Sequence, residues 1–309
     1  MPFVMPCLFC RSVSCSTLAI LALISAPPAP AYSQAANGQH SVAPPVSRAV
    51  QRTGPITIDG RLDDAGWAAA TPITNFTQFD PNEGQPGTQR TEVRFLYDSD
   101  ALFVGARMYD SLGAKGVSTR LARRDQGTDS DWFHVVIDSY HDHLGRAFFE
   151  VNPSSVKFDA LGQGGSNPDA SWDPIWEAVA QIDSLGWTAE MRIPLSQLRF
   201  SRDSVQTWGL QIRRFVNRLN EQTQWAHWGK TEAGGPARFG HLEGIRIGTR
   251  ARQLEVLPYV VARSKFVRPS DPNDPFQDRS EYATRIGGDV KYLLTSNLTL
   301  DATINPDFG

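Results

Sequence analysis

From residue 55 onward, apolar and polar side chains alternate with a period of two in short runs, parted by Gly, Asn, Asp and Ser. That period sends successive side chains to opposite faces, so each run predicts a β-strand with one buried face and one presented face. The predicted strands are 56–59, 74–79, 91–98, 101–110, a pair within 129–152, 175–183, 186–194, 208–218 and 222–228. Turn residues separate them at the close spacing of antiparallel sheets: Asp98, Ser99 and Asp100; Asp183, Ser184 and Gly186; Asn220 and Glu221. Helix is confined to single turns at 63–69 and 195–198. The pattern predicts an all-β chain built as an antiparallel sandwich or jelly roll.

The pair DSDWFHVVIDSYHDHLGRAFFEVN, residues 129–152, is the most informative stretch. Phe133, Val135, Ile137, Ala147, Phe149 and Val151 share one face, and Trp132, His134, Asp138, Arg146, Glu150 and Asn152 the other. Later strands repeat the division. Trp187, Ala189, Met191 and Ile193 oppose Thr188, Glu190 and Arg192, while Trp208, Leu210 and Ile212 oppose Gln211 and Arg213. If all these strands share one sheet, a single face gathers His134, Glu150, Glu190, Arg192, Gln211 and Arg213. Carboxylates, guanidinium groups and amides at strand spacing can hold neighbouring hydroxyls, and an aromatic ring beside them can stack on a sugar. A sandwich with one face in water alternates in the same way, so the pattern alone leaves both readings open.

The first 35 residues have a different character. Arg11 precedes an apolar run from Leu18 to Ile24, and small residues follow as far as Ala35. The run is shorter than the roughly 20 residues of a spanning helix, so a cleaved signal peptide and an exported protein are expected. Cys7, Cys10 and Cys15, all the cysteines of the chain, lie inside it, which predicts a mature protein without disulfide or thiolate chemistry. Residues 36–54 read as a flexible linker. A formal net charge of −3 without a basic stripe argues against nucleic acid as a partner.

The C-terminal part alternates again. Tyr282, Thr284, Ile286, Val290, Tyr292 and Leu294 are set against Arg285, Asp289 and Lys291. Leu298, Leu300, Ala302 and Ile304 are set against Asn297, Thr299, Asp301, Thr303 and Asn305. Apolar rows against polar rows, with tyrosines near the ends, are the pattern of outer-membrane barrel strands. About three strands, from Leu254, Glu281 and Asn297, cannot close a barrel. The expectation is a chain that stops inside its second domain.

Five blocks in order, TEVRFLYDSDALFVGARMYDS, DSDWFHVVID, FFEVNP, GWTAEMRIPLSQLRF and FGHLEGI, resemble the family 9 carbohydrate-binding module. More narrowly, they resemble the N-terminal domain of the DUF5916 group of envelope proteins, in which this module precedes a β-barrel. The resemblance covers residues 55–247. It implies a β-sandwich that holds a glycan and binds calcium structurally, periplasmic and tied to the outer membrane by the barrel. The implied organisation is a signal peptide at 1–35, a linker at 36–54, the sandwich at 55–248 and initial barrel strands at 249–309.

In the family, two tryptophans clamp the sugar from stretches that match 125–131 and 230–238, and neither stretch contains an aromatic residue here. A family glutamate aligns with His134, and an arginine aligns with Glu150. The candidate ligand residues are therefore Trp132, His134, Glu150, Asn152, Trp172, Trp176, Glu190, Arg192, Gln211 and Arg213, with Trp225 and Trp228 as further substitutes for the clamp. Calcium candidates are the oxygen-rich turns at Asp80, Asn82 and Glu83 and at Asp129 and Asp131. His141, Asp142 and His143 offer metal donors in the turn of the strand pair, but spacing supplies no third ligand. Glycoside hydrolysis needs two carboxylates across the scissile bond, for which Asp131, Asp138, Glu150 and Glu190 are the available groups. The leading expectation is a noncatalytic glycan-binding module. A structural or plug domain that has lost sugar binding is the second reading, and a hydrolase with its catalytic part further along the chain is the third.

Overall fold

The computed structural model describes residues 43–164, 167–201, 203–247, 254–266, 280–295 and 298–305. The expected signal peptide, its cysteines and the start of the linker lie outside the described residues. In chain order the first strands are β1 (Val46–Arg48), β2 (Val50–Gln51), β3 (Thr77–Asp80), β4 (Thr91–Tyr97), β5 (Ala101–Tyr109), β6 (Trp132–Asp138), β7 (Gly145–Val151) and β8 (Lys157–Gln163). They continue with β9 (Glu177–Asp183), β10 (Gly186–Pro194), β11 (Val205–Val216), β12 (Glu221–Gln224), β13 (Gly240–Arg246), β14 (Leu254–Phe266), β15 (Ser280–Thr295) and β16 (Leu298–Ile304). Among the described residues, helix is limited to short 3-10 turns, including Ala65–Ala69 and Leu195–Gln197.

Two sheets form the sandwich. An eight-stranded sheet runs β1-β13-β11-β6-β7-β8, with β12 and β3 attached beside β11, and a five-stranded sheet runs β2-β4-β5-β10-β9. The alternation explains their contact. Phe133, Val135, Ile137, Phe149 and Val151 from one sheet share a single core with Phe95, Val104, Trp187, Met191 and Ile193 from the other. Trp187 and Trp208 are fully buried within it. Burying one such side chain contributes about 1.5–3 kcal/mol, so this interior is the main source of stability.

Expectation and structure part at several places. Residues 56–59 form no strand. Ile56, Ile58, Leu62 and Trp67 instead pack over the outer face of the five-stranded sheet against Leu96, Ala101 and Phe103. The stretch read as linker contains β1 and β2. One pairs in parallel with β13 and the other with β4, and the chain crosses between the sheets at buried Ala49. Strand β8 was hidden because KFDALGQ puts an aspartate at a core position. Asp159 is tolerated there because Arg124 donates to it from Nε at 3.0 Å and from Nη2 to both carboxylate oxygens at 2.8 Å, and Trp176 Nε1 also donates to it at 3.0 Å. Burial still pushes its carboxyl upward against those donors.

One end of the sandwich is closed by charge. Arg214 is buried and donates to Arg90 O at 3.0 Å, Thr91 Oγ1 at 3.0 Å and Tyr109 O at 2.7 Å, linking the sheets. Asp131 nearby accepts from the Asn217 amide at 2.9 Å. Burial raises the Asp131 carboxyl to about 6, although Asn217 and Arg214 oppose it, and burial lowers Arg214 to about 10.

Strands β14, β15 and β16 form a separate antiparallel sheet of three. Its register aligns Val256 with Val290, Val260 with Ile286 and Tyr292 with Leu300, which gathers an apolar row on one face, while Leu257, Tyr259 and Val261 of β14 lie on the other face with Asp289 and Arg285. Val260, Tyr282, Ile286 and Ile304 on that face are exposed.

Candidate functional site

The outer face of the eight-stranded sheet carries a row of chemistry. Across its strands, Phe158 on β8 pairs with Glu150 on β7, Glu150 with His134 on β6, His134 with Arg213 on β11, and Arg213 with Gln224 on β12. Directly paired residues share a face. His134 Nδ1 lies 2.9 Å from Glu150 Oε1, and the two side chains keep 22% and 16% of their surface in solvent. The Trp132 ring stands 6.4 Å from the His134 ring and is tilted by 44°. Trp132 Nε1 donates to Thr128 O at 3.1 Å, which fixes the indole although little of it is exposed.

Arg213 completes the row. Its guanidinium sits over the Trp228 ring, 5.5 Å from the centroid. Its Nε is buried and has no hydrogen-bond partner among the described residues. Burial pulls its pKa below the ordinary arginine range, with Glu150 opposing the shift and Arg146 adding to it. Trp228 is held by Phe239, stacked at 6.5 Å, and by a small apolar cluster with Val136, Phe148 and Phe79. The 230–238 segment folds onto this indole through its backbone. A methyl at Gly234 would come within 2.4 Å of Trp228 Nε1, and Gly235 has φ +112°, a conformation open to glycine.

The other predicted residues are placed elsewhere or are already engaged. The single shared face is corrected by the topology, because Glu190 and Arg192 lie on β10 in the five-stranded sheet. Glu190 accepts from Trp67 Nε1 at 2.9 Å and from the amides of Asp59 at 3.0 Å and Gly60 at 2.9 Å. Arg192 pairs with Glu177 at 3.2 Å. Gln211 shares the face with Arg213, but it is buried and both ends of its amide are used on Ala226, at 2.6 and 3.0 Å. Asn152 is buried and caps the turn after β7, accepting from Ser154 N and Val156 N at 2.9 Å each. Trp172 and Trp176 edge onto Phe149, on the interior side of the sheet. Trp225 also belongs to the interior.

Among the calcium candidates, the turn at Asp80, Asn82 and Glu83 is engaged in other contacts. Asp80 pairs with Lys230, and Glu83 accepts the Lys230 amide at 2.9 Å, so this turn anchors the 230–238 segment. The Asn82 amide donates to Gln78 Oε1 at 3.3 Å. Asp129 is exposed, whereas Asp131 faces the buried end of the sandwich. Sequence reasoning ranked Trp228 only among substitutes and missed Phe158. The period-two row Phe158, Ala160 and Gly162 was a readable signal that Asp159 obscured.

The fold thus defines a two-sheet β-sandwich with one polar outer face left partly open. Residues 58–244, more than half of the chain, match the family described as carbohydrate family 9 binding domain-like, and the chain belongs to that family. It is similar to a carbohydrate-binding module of family 9 from Caldicellulosiruptor kristjanssonii solved in complex with cellotriose, at 16% identity and a TM-score of 0.46, covering 64% of this chain and 92% of that one. The same figures hold for that module in complex with glucose, with 94% of it covered. Membership rests on the family match rather than on these likenesses. Among curated proteins, none matches the chain.

Proposed function

We propose that this chain is a noncatalytic carbohydrate-binding module of the cell envelope, with its ligand on the row Glu150, His134 and Arg213. The observation that carries the reading is Arg213, a guanidinium held on Trp228 with a buried N–H that nothing in the described structure accepts. Leaving such a donor unmet costs roughly 1–3 kcal/mol, and a ligand hydroxyl can remove that cost. Glu150 and His134 add an acceptor and a second donor or acceptor within one strand spacing, which suits the vicinal hydroxyls of a sugar. Trp132 supplies an aromatic wall beside them. This arrangement replaces the family's tryptophan clamp, because the 230–238 segment has no aromatic residue and leans on Trp228 instead.

The carboxylates do not assemble into a hydrolytic pair on this face. Glu190 lies in the other sheet, Asp131 faces the buried end, and Asp138 Oδ2 accepts the His143 amide at 2.8 Å. The envelope placement is supported by the third sheet, where an apolar row exposed on one face and Arg285, Asp289 and Asp301 on alternate positions match lipid-facing and lumen-facing strands. In this reading the sandwich stands on the periplasmic side of an outer-membrane barrel that begins with β14–β16. A glycan-array screen of the chain, followed by calorimetric titration of the best binder, tests the proposal. Saturable binding that is weakened at least about tenfold by Arg213→Met is expected. Absence of binding to any glycan at millimolar concentration favours the plug or protein-contact reading.

A further inference from the structure

The turn between β6 and β7 carries two of the chain's six histidines, and the fold brings a third to them from about a hundred residues away. The His141 ring lies 4.8 Å from the His143 ring and 4.8 Å from the His241 ring, edge to face in both cases. His241 is on β13, which is why spacing along the sequence gave no hint of it. The topology leaves room for the contact. Asp138 on β6 and His241 on β13 are each paired with Gly209 on the intervening β11, so the position between them has no side chain. A methyl at Gly209 would come within 3.0 Å of Asp138 Cβ.

Three further features point to a ligand rather than to packing. Among the described residues, His141 Nε2 is buried without a hydrogen-bond partner, and so is Asp138 Oδ1. His143 Nδ1 lies 3.4 Å from Pro236 O, a contact that favours the proton on Nδ1 and leaves Nε2 as the lone-pair donor, as in metal-ligating histidines whose outer nitrogen is held by a carbonyl. The turn holds both residues in the left-handed region, His141 at φ +54° and His143 at φ +61°. Asp138 Oδ2 and Asp142 Oδ1 fix that turn by accepting the amides of His143, Leu144 and Gly145. Nonglycine residues adopt this conformation at a cost, and such strain collects at functional positions.

We infer that His141, His143 and His241 form a binding site for one divalent transition-metal ion of the zinc class. The shell is not preformed: among the described residues no three His, Cys, Asp or Glu side chains already stand as a metal cage. Two of the three ring separations, 4.8 Å each, are close to what imidazoles show when their nitrogens meet one ion at about 2.0–2.1 Å, and closing the shell requires the rings to turn toward a common point. Imidazole donors select zinc, nickel or copper over calcium. The bound ion pins the hairpin turn to β13 across the intervening β11, and through Pro236 to the segment that leans on Trp228. The inference does not depend on glycan binding.

The test is titration of the untagged, chelator-treated chain with Zn2+ alone, followed by histidine ring NMR signals and by calorimetry. One equivalent is expected to shift the His141, His143 and His241 rings together while His134 stays in place, and to raise the melting temperature by binding only the folded chain. His241→Ala is expected to weaken binding at least about tenfold. The ring signals of the unaltered chain keep the test independent of whether a variant folds. No saturable Zn2+ binding, binding that leaves the His241 ring unmoved, or binding unchanged in His241→Ala overturns the site.

Discussion

The two outer faces of the sandwich begin from the same sequence pattern and end in opposite states. On the five-stranded sheet the chain covers itself. The segment with Ile56, Leu62 and Trp67 lies across the strands, and Glu190 beneath it has three donors from Trp67, Asp59 and Gly60. The adjoining groove, about 340 Å3, is lined by charges that pair with one another: Arg107 is bidentate on Asp183 at 2.6 and 2.8 Å, and Arg94 reaches Glu92 at 3.2 Å. On the eight-stranded sheet, Glu150 meets His134, and Arg213 retains a buried donor that no described residue accepts. Alternation therefore marks a presented face without saying whether the protein presents it to itself or to a ligand.

The contrast is broken most directly by deleting one carboxylate from each face. Glu190→Ala leaves an indole N–H and two amides without their acceptor and is expected to cost about 3 kcal/mol in a denaturant melt, whereas Glu150→Ala is expected to cost less than about 1 kcal/mol. Equal losses would erase the distinction between the faces.

The buried end gives a second, slightly smaller effect with a defined sign. Asp131 binds its proton more tightly when folded, since burial raises it from an ordinary 3.8 to about 6. Its contribution to stability is therefore fully present below about pH 4 and is lost as pH rises through 6, a difference of roughly 2–3 kcal/mol. Melts of Asp131→Asn against the parent between these pH values are expected to show the variant gaining relative stability as pH rises. A difference that does not change with pH would contradict the burial argument.

Arg213→Met sharpens the comparison further. Replacing a poorly partnered buried cation with an apolar side chain is expected to leave stability unchanged or raised by up to about 1 kcal/mol, while glycan affinity falls at least about tenfold. The smallest effect belongs to Glu150→Gln. It keeps the shape of a partly exposed pair and is expected to shift stability by less than about 0.5 kcal/mol while still weakening the glycan.

Much of this architecture was legible because strand periodicity is local. The interior faces of β6, β7, β10 and β11 follow directly from Phe133 to Ile137, Ala147 to Val151, Trp187 to Ile193 and Trp208 to Ile212. Sheet membership is not local, and Glu190 was grouped with His134 because nothing in a strand's own pattern says which sheet it joins. The same limit hid the roles of Gln211 and Asn152, whose partners at Ala226 and Val156 are set by the fold. Strand β8 was hidden by Asp159, a charge that only Arg124 and Trp176 make tolerable. Trp228 was visible as a residue but not as the support beneath Arg213.

The most direct measurement is mapping of backbone and side-chain NMR shifts while the best array glycan is titrated into the chain. The account predicts that changes concentrate on His134, Glu150, Arg213 and Trp228, with the Glu190, Arg107 and Asp183 region unmoved. Shifts centred on the five-stranded sheet, with the Arg213 row silent, would contradict it.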